Sequence, residues 1–353
     1  MSNIVIIGGG AVGMLAAIHL DKNFPESQIT VLELRSSFTR KQIVLVNQDS
    51  RGLLPQRVLQ NIWGENGRKK GCYILSPDKD RWARCYAGKL PYASVEIKKL
   101  EKELLSYIKK YTNVRYLRPK SGKANIKMKK DISSILFEGE NIYYDILIAA
   151  DGANSWTAKN LNIERVPIIN KKYYGLVANI TKRKSTSPKS DGYFDKISKK
   201  RIEIIEHNKP QNNWRFFRRQ PNGFYLGLII DDKEYENLLK NKLSSQIKKT
   251  IQNVCKQVHT KCDIKIKNIN VFPVQPSYLS KIRTKGPNDT DIYFIGDALV
   301  SPHYFTYSGL NVGFNSVKVL VSFLKSDKSF SEYDTEQKKN IEFIKQRTMA
   351  VAQ

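Results

Sequence analysis

The sequence is short of carboxylates, of paired cysteines and of long apolar runs. Against 60 lysines and arginines stand 33 aspartates and glutamates, leaving a formal charge of +27 over 353 residues. The four cysteines, Cys72, Cys85, Cys255 and Cys262, include no CxxC pair. Neither a zinc site nor a disulfide framework is expected from them, and they read as reduced cytosolic thiols. No apolar run reaches the ~18 residues of a membrane-spanning helix. Met1 to Ile7 lacks a basic stretch and enters three glycines directly, so it reads as a strand and not as a secretory signal. A soluble, cytoplasmic protein is expected, with oligomeric state left open. There is no internal repeat and no proline- or serine-rich linker to separate independent modules.

What is present has an ordinary globular balance. Hydrophobic residues make up 41% and charged residues 26%, which argues against disorder as a global description. The positive charge would draw nucleic acids, acidic protein faces, anionic membranes or anionic small molecules. It is, however, spread along the whole chain and carried mostly by lysine, in a sequence crowded with Ile, Asn, Lys and Tyr. A basic solvated surface of compositional origin is therefore favoured over a nucleic-acid site.

The hydrophobic pattern predicts an α/β framework interrupted by an antiparallel sheet. Asn3–Ile7 is a continuous apolar run of the kind that forms a strand covered on both faces, Ile29–Glu33 reads as the second strand, and Tyr144–Ala150 as another buried strand. Ala11–Leu20 between the first two has helical spacing. Val95–Tyr111 predicts an amphipathic helix, with Ile97, Leu100, Leu104, Leu105 and Ile108 on one side and lysines on the other. Val114–Leu117 reads as a strand followed by a hairpin. From about 165 to 275 the character changes to strands joined by polar loops: Tyr174–Ile180, Arg201–Ile205, Trp214–Arg218, Phe224–Ile230 and Val271–Val274, with a helix pair over Tyr235–His259. The framework resumes at Asp291–Ile295 and ends in helices from about Leu310 to Leu324 and over the last ~25 residues. The expected division is 1–165, an inserted sheet domain at 166–275, and a return to the first domain at 276–353.

Gly8-Gly9-Gly10-Ala11-Val12-Gly13 is GxGxxG placed between a strand and a helix, the setting in which that pattern binds a dinucleotide. The first glycine makes the tight turn, the second admits a pyrophosphate to the backbone, and the third lets helix and strand pack closely. The helix N-terminus adds free N–H groups and a positive dipole end. Glu33, 20 residues beyond Gly13, is positioned to accept hydrogen bonds from ribose hydroxyls. On this motif alone FAD and NAD are both open, in a Rossmann-like three-layer domain.

Two further motifs follow buried strands. Asp151-Gly152-Ala153-Asn154-Ser155 is one; Gly296-Asp297-Ala298, ahead of Ser308-Gly309-Leu310-Asn311 at a helix start, is the other. Together with the glycine turn they resemble the class A FAD-dependent monooxygenases, the para-hydroxybenzoate hydroxylase-like family, over residues 3 to about 325. The resemblance implies that Asp151 and Gly152 lie near both FAD and NAD(P)H, that Asp297 contacts the flavin ribityl chain, and that the following helix points its N-terminus at the isoalloxazine. Gly8, Gly10, Ala11, Val12, Gly13, Glu33, Leu34 and Arg35 would then hold the adenosine and pyrophosphate, and Pro302, Gly309, Leu310 and Asn311 would line the flavin. Val31–Leu45, VLELRSSFTRKQIVL, is similar to the matching stretch of MICAL flavin monooxygenases, which oxidise methionines of actin with FAD and NADPH. That similarity puts Arg40 at the pyrophosphate and Gln42 beside the flavin. Lys98 stands where the family commonly has a cofactor-binding arginine; the alternative is a solvated helix face.

The resemblance implies reduction of FAD by NADPH or NADH and oxygen transfer through a flavin C4a-hydroperoxide. In such chemistry the protein orients the ring, excludes water and holds the substrate, so no catalytic triad or metal is expected. His303 is a candidate acid/base, or simply a packed turn residue. Trp214, Phe216, Tyr225 and Phe272 on the inserted sheet are candidate substrate-wall residues, each with plain core as its alternative. Arg215, Arg218 and Arg219 suit an anion clamp or an exposed strand edge. The substrate expected is a small molecule or, following the MICAL likeness, a protein side chain. Two other functions fit the same motifs: a flavin-dependent reductase of the geranylgeranyl-reductase type, and a non-enzymatic basic binding protein on a flavoprotein scaffold.

Overall fold

The structure is a computed structural model that describes residues 2–64, 92–129, 131–170, 173–182, 215–220, 223–240, 245, 247–249, 264–306 and 308–352. The four cysteines, Trp214 and the expected strand at Arg201–Ile205 lie outside these residues. Two compact units divide the chain. The first is assembled from Met1–Gly67, Ser94–Asn170 and Pro276–Ala352, and the second is built on Lys171–Gln275.

The first unit opens with β1 (Asn3–Ile7), the glycine turn, α1 (Ala11–Asn23) and β2 (Gln28–Leu32). Then come β3 (Ile43–Asn47), the short helices α2 (Gln48–Gly52) and α3 (Gln56–Trp63), β4 (Tyr92–Glu96) and α4 (Ile97–Tyr111). The helix expected from Val95 therefore starts two residues later. Val95 and Glu96 belong to β4, which pairs with β3, and pairing satisfies backbone groups that an isolated helix N-terminus would leave open. Strand β5 (Arg115–Leu117) is followed by an antiparallel meander, β6 (Ile126–Met128), β7 (Ser134–Phe137) and β8 (Glu140–Tyr143), and then by β9 (Ile146–Ala149), α5 (Trp156–Asn160) and β10 (Arg165–Pro167).

The second unit contains β11 (Tyr173–Lys182), β12 (Arg215–Gln220), β13 (Gly223–Ile230), α6 (Asp232–Leu239) and β14 (Ile264–Val274). The strands form one antiparallel sheet in the order β12-β13-β11-β14. Its described core alternates along the strands, with Tyr174, Leu176 and Ala178 on β11 meeting Leu226, Leu228 and Ile230 on β13, as the period of two requires. Tyr235 of α6 stacks on Tyr174 with ring centroids 4.1 Å apart. Of the helix pair expected over Tyr235–His259, the described part is α6 and a helical stretch at 247–249.

The chain re-enters the first unit with β15 (Ser277–Leu279), β16 (Arg283–Lys285), β17 (Asp291–Phe294) and β18 (Val300–Ser301), and closes with α7 (Gly309–Leu324) and α8 (Phe330–Ala352). The central sheet has the order β16-β17-β9-β1-β2-β5. It is parallel from β17 to β5, and β16 is an antiparallel edge. The chain leaves β1 on one side to form β2 and later returns on the other as β9. Such a reversal opens a crevice at the carboxyl ends of the strands, where doubly wound sheets bind ligands. Helix α1 packs against α4 and α7, and Met14, Leu15, Ala16, Ala17 and Leu20 are fully buried. Among the described residues no helix is long and apolar enough to cross a membrane.

Candidate functional site

The glycine turn sits at the carboxyl end of β1, and three of its glycines are fixed by space: a Cβ on Gly9 would lie 2.3 Å from the Tyr116 hydroxyl and 2.8 Å from Glu33 Cβ. Gly8 has φ +108°, and a Cβ there would lie 2.4 Å from the carbonyl oxygen of Ala150. A Cβ on Gly13 would lie 1.9 Å from the carbonyl oxygen of Gly8. Gly10 differs, because its Cβ position is open except for Glu101 Oε1 at 3.6 Å. Gly10 is the N-cap of α1 and offers no side-chain cap, so the first amides of the helix, on Ala11, Val12 and Gly13, have no acceptor within the helix. The Val12 side chain is spent on packing: it would meet Cβ atoms placed on Gly296 at 3.0 Å and on Gly313 at 2.7 Å. One valine thus brings the Gly296-Asp297 segment and helix α7 against the turn.

Glu33 follows β2 directly and is 2% exposed. Its Oε1 accepts from the amide and the Nε of Arg35, both at 3.0 Å. Its Oε2 is buried with no hydrogen-bond partner, which suits an incoming hydroxyl donor. Leu34 contributes its carbonyl, which accepts from the Ala124 amide at 2.9 Å. The phenol of Tyr116 donates to the carbonyl of Gly9 at 3.1 Å, bracing the turn from β5.

Asp151 and Asp297 stand at the carboxyl ends of β9 and β17. Asp151 Oδ2 accepts from the amide and hydroxyl of Thr157 at 2.9 and 3.0 Å, while Oδ1 is buried without a partner. Burial pushes the Asp151 carboxyl above the usual carboxylate range, with the Thr157 hydrogen bonds pulling the other way. Burial also raises Asp297, opposed by the nearby positive charges of Arg40 and Arg165. Arg165 donates to Ser277 Oγ at 3.2 Å and to the carbonyls of Asp297 and Ala298. A Cβ on Gly309 would stand 3.2 Å from Asp297 Oδ1 and 3.0 Å from Pro302 Cγ, so the start of α7 lies against both residues, with Leu310 half-buried.

Arg40 lies at the meeting point. Its Nη2 is 4.0 Å from the Cβ position of Gly152, and its charge acts on both Asp297 and Glu101. The carbonyl of Arg40 accepts from the Lys98 amide, and that of Gln42 from the Ile97 amide. Gln42 Oε1 is buried without a partner. The Lys98 side chain lines an open groove with Ser37, Phe38, Lys102, Leu105 and Arg118. Leu105, expected on the buried side of its helix, is half-buried in this groove. Asn311 uses its side-chain amide on the backbone of β3, donating to the Leu45 carbonyl at 2.8 Å and accepting from the Asn47 amide at 2.9 Å. His303 is 1% exposed and stacks on Tyr304, and its backbone amide donates to Thr348 Oγ1 at 3.3 Å. Burial lowers its pKa to about 4, so at neutral pH the imidazole is uncharged.

The described substrate candidates lie on the sheet of the second unit. Phe216 of β12 is opposite Gly227, Tyr225 of β13 is opposite Arg218 and Asn179, and half-buried Phe272 of β14 is opposite Gly175. Among the described residues no group of three or more His, Cys, Asp or Glu is arranged to hold a metal ion.

Sequence reading missed Glu101, Tyr116 and Arg165. Glu101 carried a signal, because it falls at the helical spacing of Leu104 and Ile108 and so puts a carboxyl on the apolar stripe of α4. Tyr116 lies in an edge strand too short to show alternation, and Arg165 lies at a domain boundary where no motif marks it.

No protein-family model matches the sequence, and no curated protein matches it. Solved structures do. A Diels-Alderase of pyrroindomycin biosynthesis superposes with a TM-score of 0.66 at 14% identity, covering 99% of this chain and 72% of its own. The p-nitrophenol 4-monooxygenase of Pseudomonas putida superposes with a TM-score of 0.64 at 16% identity, covering 99% and 89%. An aklavinone-11 hydroxylase, solved with FAD and aklavinone, gives 0.64 at 13%, covering 99% and 68%. Across the similar structures the chain spans from 57% to 90% of the other chain's length. The chain has the fold of the class A FAD-dependent monooxygenases. At these identities the likeness is one of fold, and a fold hosts more than one chemistry.

Proposed function

We propose that the chain is an FAD-dependent monooxygenase that uses NADPH or NADH and O₂ to oxidise a small organic substrate. The observation that carries this reading is the convergence of three strand-end turns, with Gly8 against Ala150 and Asp151, Val12 against Gly296, and Arg40 beside both Gly152 and Asp297. The residues fit the cofactor by their chemistry. The Gly10 turn and the α1 amides suit a pyrophosphate, the unpartnered Glu33 Oε2 suits a ribose hydroxyl, and Asp297 with Pro302, Gly309 and Leu310 suits the ribityl and ring end.

When bound, FAD supplies two-electron reduction by the nicotinamide and activation of O₂. The protein's own part is to bind, orient and exclude water. Arg40 places positive charge beside the phosphates, and Asn311 fixes α7 against β3 so that the helix N-terminus keeps its direction. We assign His303 a packing role under α8, since it is 1% exposed and, with a pKa lowered to about 4 by burial, carries no charge at neutral pH. Phe216, Tyr225 and Phe272 remain our substrate-wall candidates. A small-molecule substrate is supported by similar structures that carry p-nitrophenol 4-monooxygenase activity or hold aklavinone; the Val31–Leu45 stretch is the reason to screen protein methionines as well.

Purified protein is expected to be yellow, or to become so on adding FAD. NADPH or NADH should bleach it without oxygen, faster with true substrate, and labelled O₂ should deliver one oxygen atom to the product. A colourless protein that cannot be reconstituted with FAD would defeat the reading. Bleaching without oxygen insertion would favour a flavin-dependent reductase instead.

A further inference from the structure

Glu101 is fully buried on α4, and neither of its carboxyl oxygens has a hydrogen-bond partner. Its Oε1 points at Gly10, 3.6 Å from the open Cβ position of the residue that caps α1. The charged and titratable groups facing it are Arg35 and Arg40 from the loop after β2, Glu33 at the end of that strand, and Arg118 and Tyr116 from β5 and its exit. None of the three guanidiniums bonds it. An ionised carboxylate held this way is costly, whereas a neutral carboxyl is tolerated and carries one O–H to donate. The α1 N-terminus beside it is the place where a dinucleotide's phosphates gather, and their negative charge penalises the ionised form further.

We propose that Glu101 binds the dinucleotide as a protonated carboxyl that donates a hydrogen bond to a phosphate oxygen, so that cofactor binding takes up one proton. The proposal rests on the reading that this turn holds FAD. Burial is the main influence on the group and raises its pKa, against Arg40, Arg35 and Arg118 and with Glu33. The balance before binding therefore lies closer to neutral pH than for an ordinary glutamate.

The test is FAD affinity by flavin fluorescence, and ADP affinity by calorimetry in buffers of different ionisation enthalpy, across about pH 6 to pH 9. Wild-type affinity for both ligands is expected to fall by about tenfold per pH unit once the free carboxyl ionises, with proton uptake approaching one per ligand. Glu101→Gln keeps a neutral donor of the same shape and should hold low-pH affinity with a flat profile. Glu101→Ala should be flat and weaker by about tenfold. A wild-type profile that is flat, without proton uptake, overturns the proposal, as does a Glu101→Gln profile as steep as wild type. Loss of FAD and ADP binding at every pH would instead remove the cofactor reading on which the proposal rests, and the proposal with it.

Discussion

Replacing Gly13 by alanine tests the packing at the base of the candidate site without requiring any ligand. The added Cβ would stand 1.9 Å from the Gly8 carbonyl oxygen, against about 3.4 Å for an ordinary contact, so roughly 1.5 Å must be opened between two backbone segments. Neither side yields cheaply. Gly8 is held by its hydrogen bond to the Leu32 carbonyl at 2.8 Å, and α1 is anchored by Met14, Leu15 and Leu20, all fully buried. Overpacking of a core costs about 1–3 kcal/mol and more when backbone must move, so the loss should be about 3 kcal/mol, a large part of the ~5–15 kcal/mol of a folded domain. Urea unfolding followed by circular dichroism reads this directly. Gly52→Ala is the control, since a Cβ there meets nothing within 4 Å at the end of α2, and it should be neutral or slightly stabilising. A Gly13→Ala protein as stable as wild type, within about 0.5 kcal/mol, would refute the reasoning, because α1 would then not lie against the turn.

Three other outcomes follow from the same geometry. Glu33→Ala should weaken FAD binding about ten- to hundredfold in a fluorescence titration, the effect of a lost charge-assisted hydrogen bond. For Asp297, a raised folded-state pKa means that stability is fully present below the ordinary value of 3.8 and declines as pH rises through the folded value. Asp297→Asn should therefore unfold at higher urea than wild type at pH 7 without ligand, the advantage vanishing below about pH 4, while FAD affinity falls. For His303 the sign is opposite: lowering from 6.5 to about 4 makes stability drop as pH falls from 6.5 through 4, by about 3 kcal/mol. His303→Gln should lose that acid limb, and its survival in the variant would mean another group is responsible.

Much of the architecture was legible because buried parallel strands leave continuous apolar runs. Asn3–Ile7 and Asp291–Phe294 were both readable in this way, and the glycine turn announced itself by its position between strand and helix. The start of α4 was not, because Val95 and Glu96 continue the helical pattern while β3 claims their backbone. The site was only partly legible. Glycines and aspartates after strands mark where the chain turns, but not that Val12 would wedge Gly296 and Gly313 together, nor that Arg40 would face two acids, Asp297 after β17 and Glu101 on α4. Leu105 failed for a related reason: the spacing gives a stripe, whereas the breadth of the neighbouring surface decides how much of it is covered.

The two hydrogen bonds from Asn311 to the backbone at Leu45 and Asn47 join positions up to 266 residues apart. At about 5–20 residues per second on the ribosome, β3 emerges roughly 13–50 s before its partner exists. During that interval the glycine turn is already made but lacks the wall that α7 will provide. Closure of the crevice on that side is thus tied to the making of α7, and not to the much earlier appearance of the glycine turn.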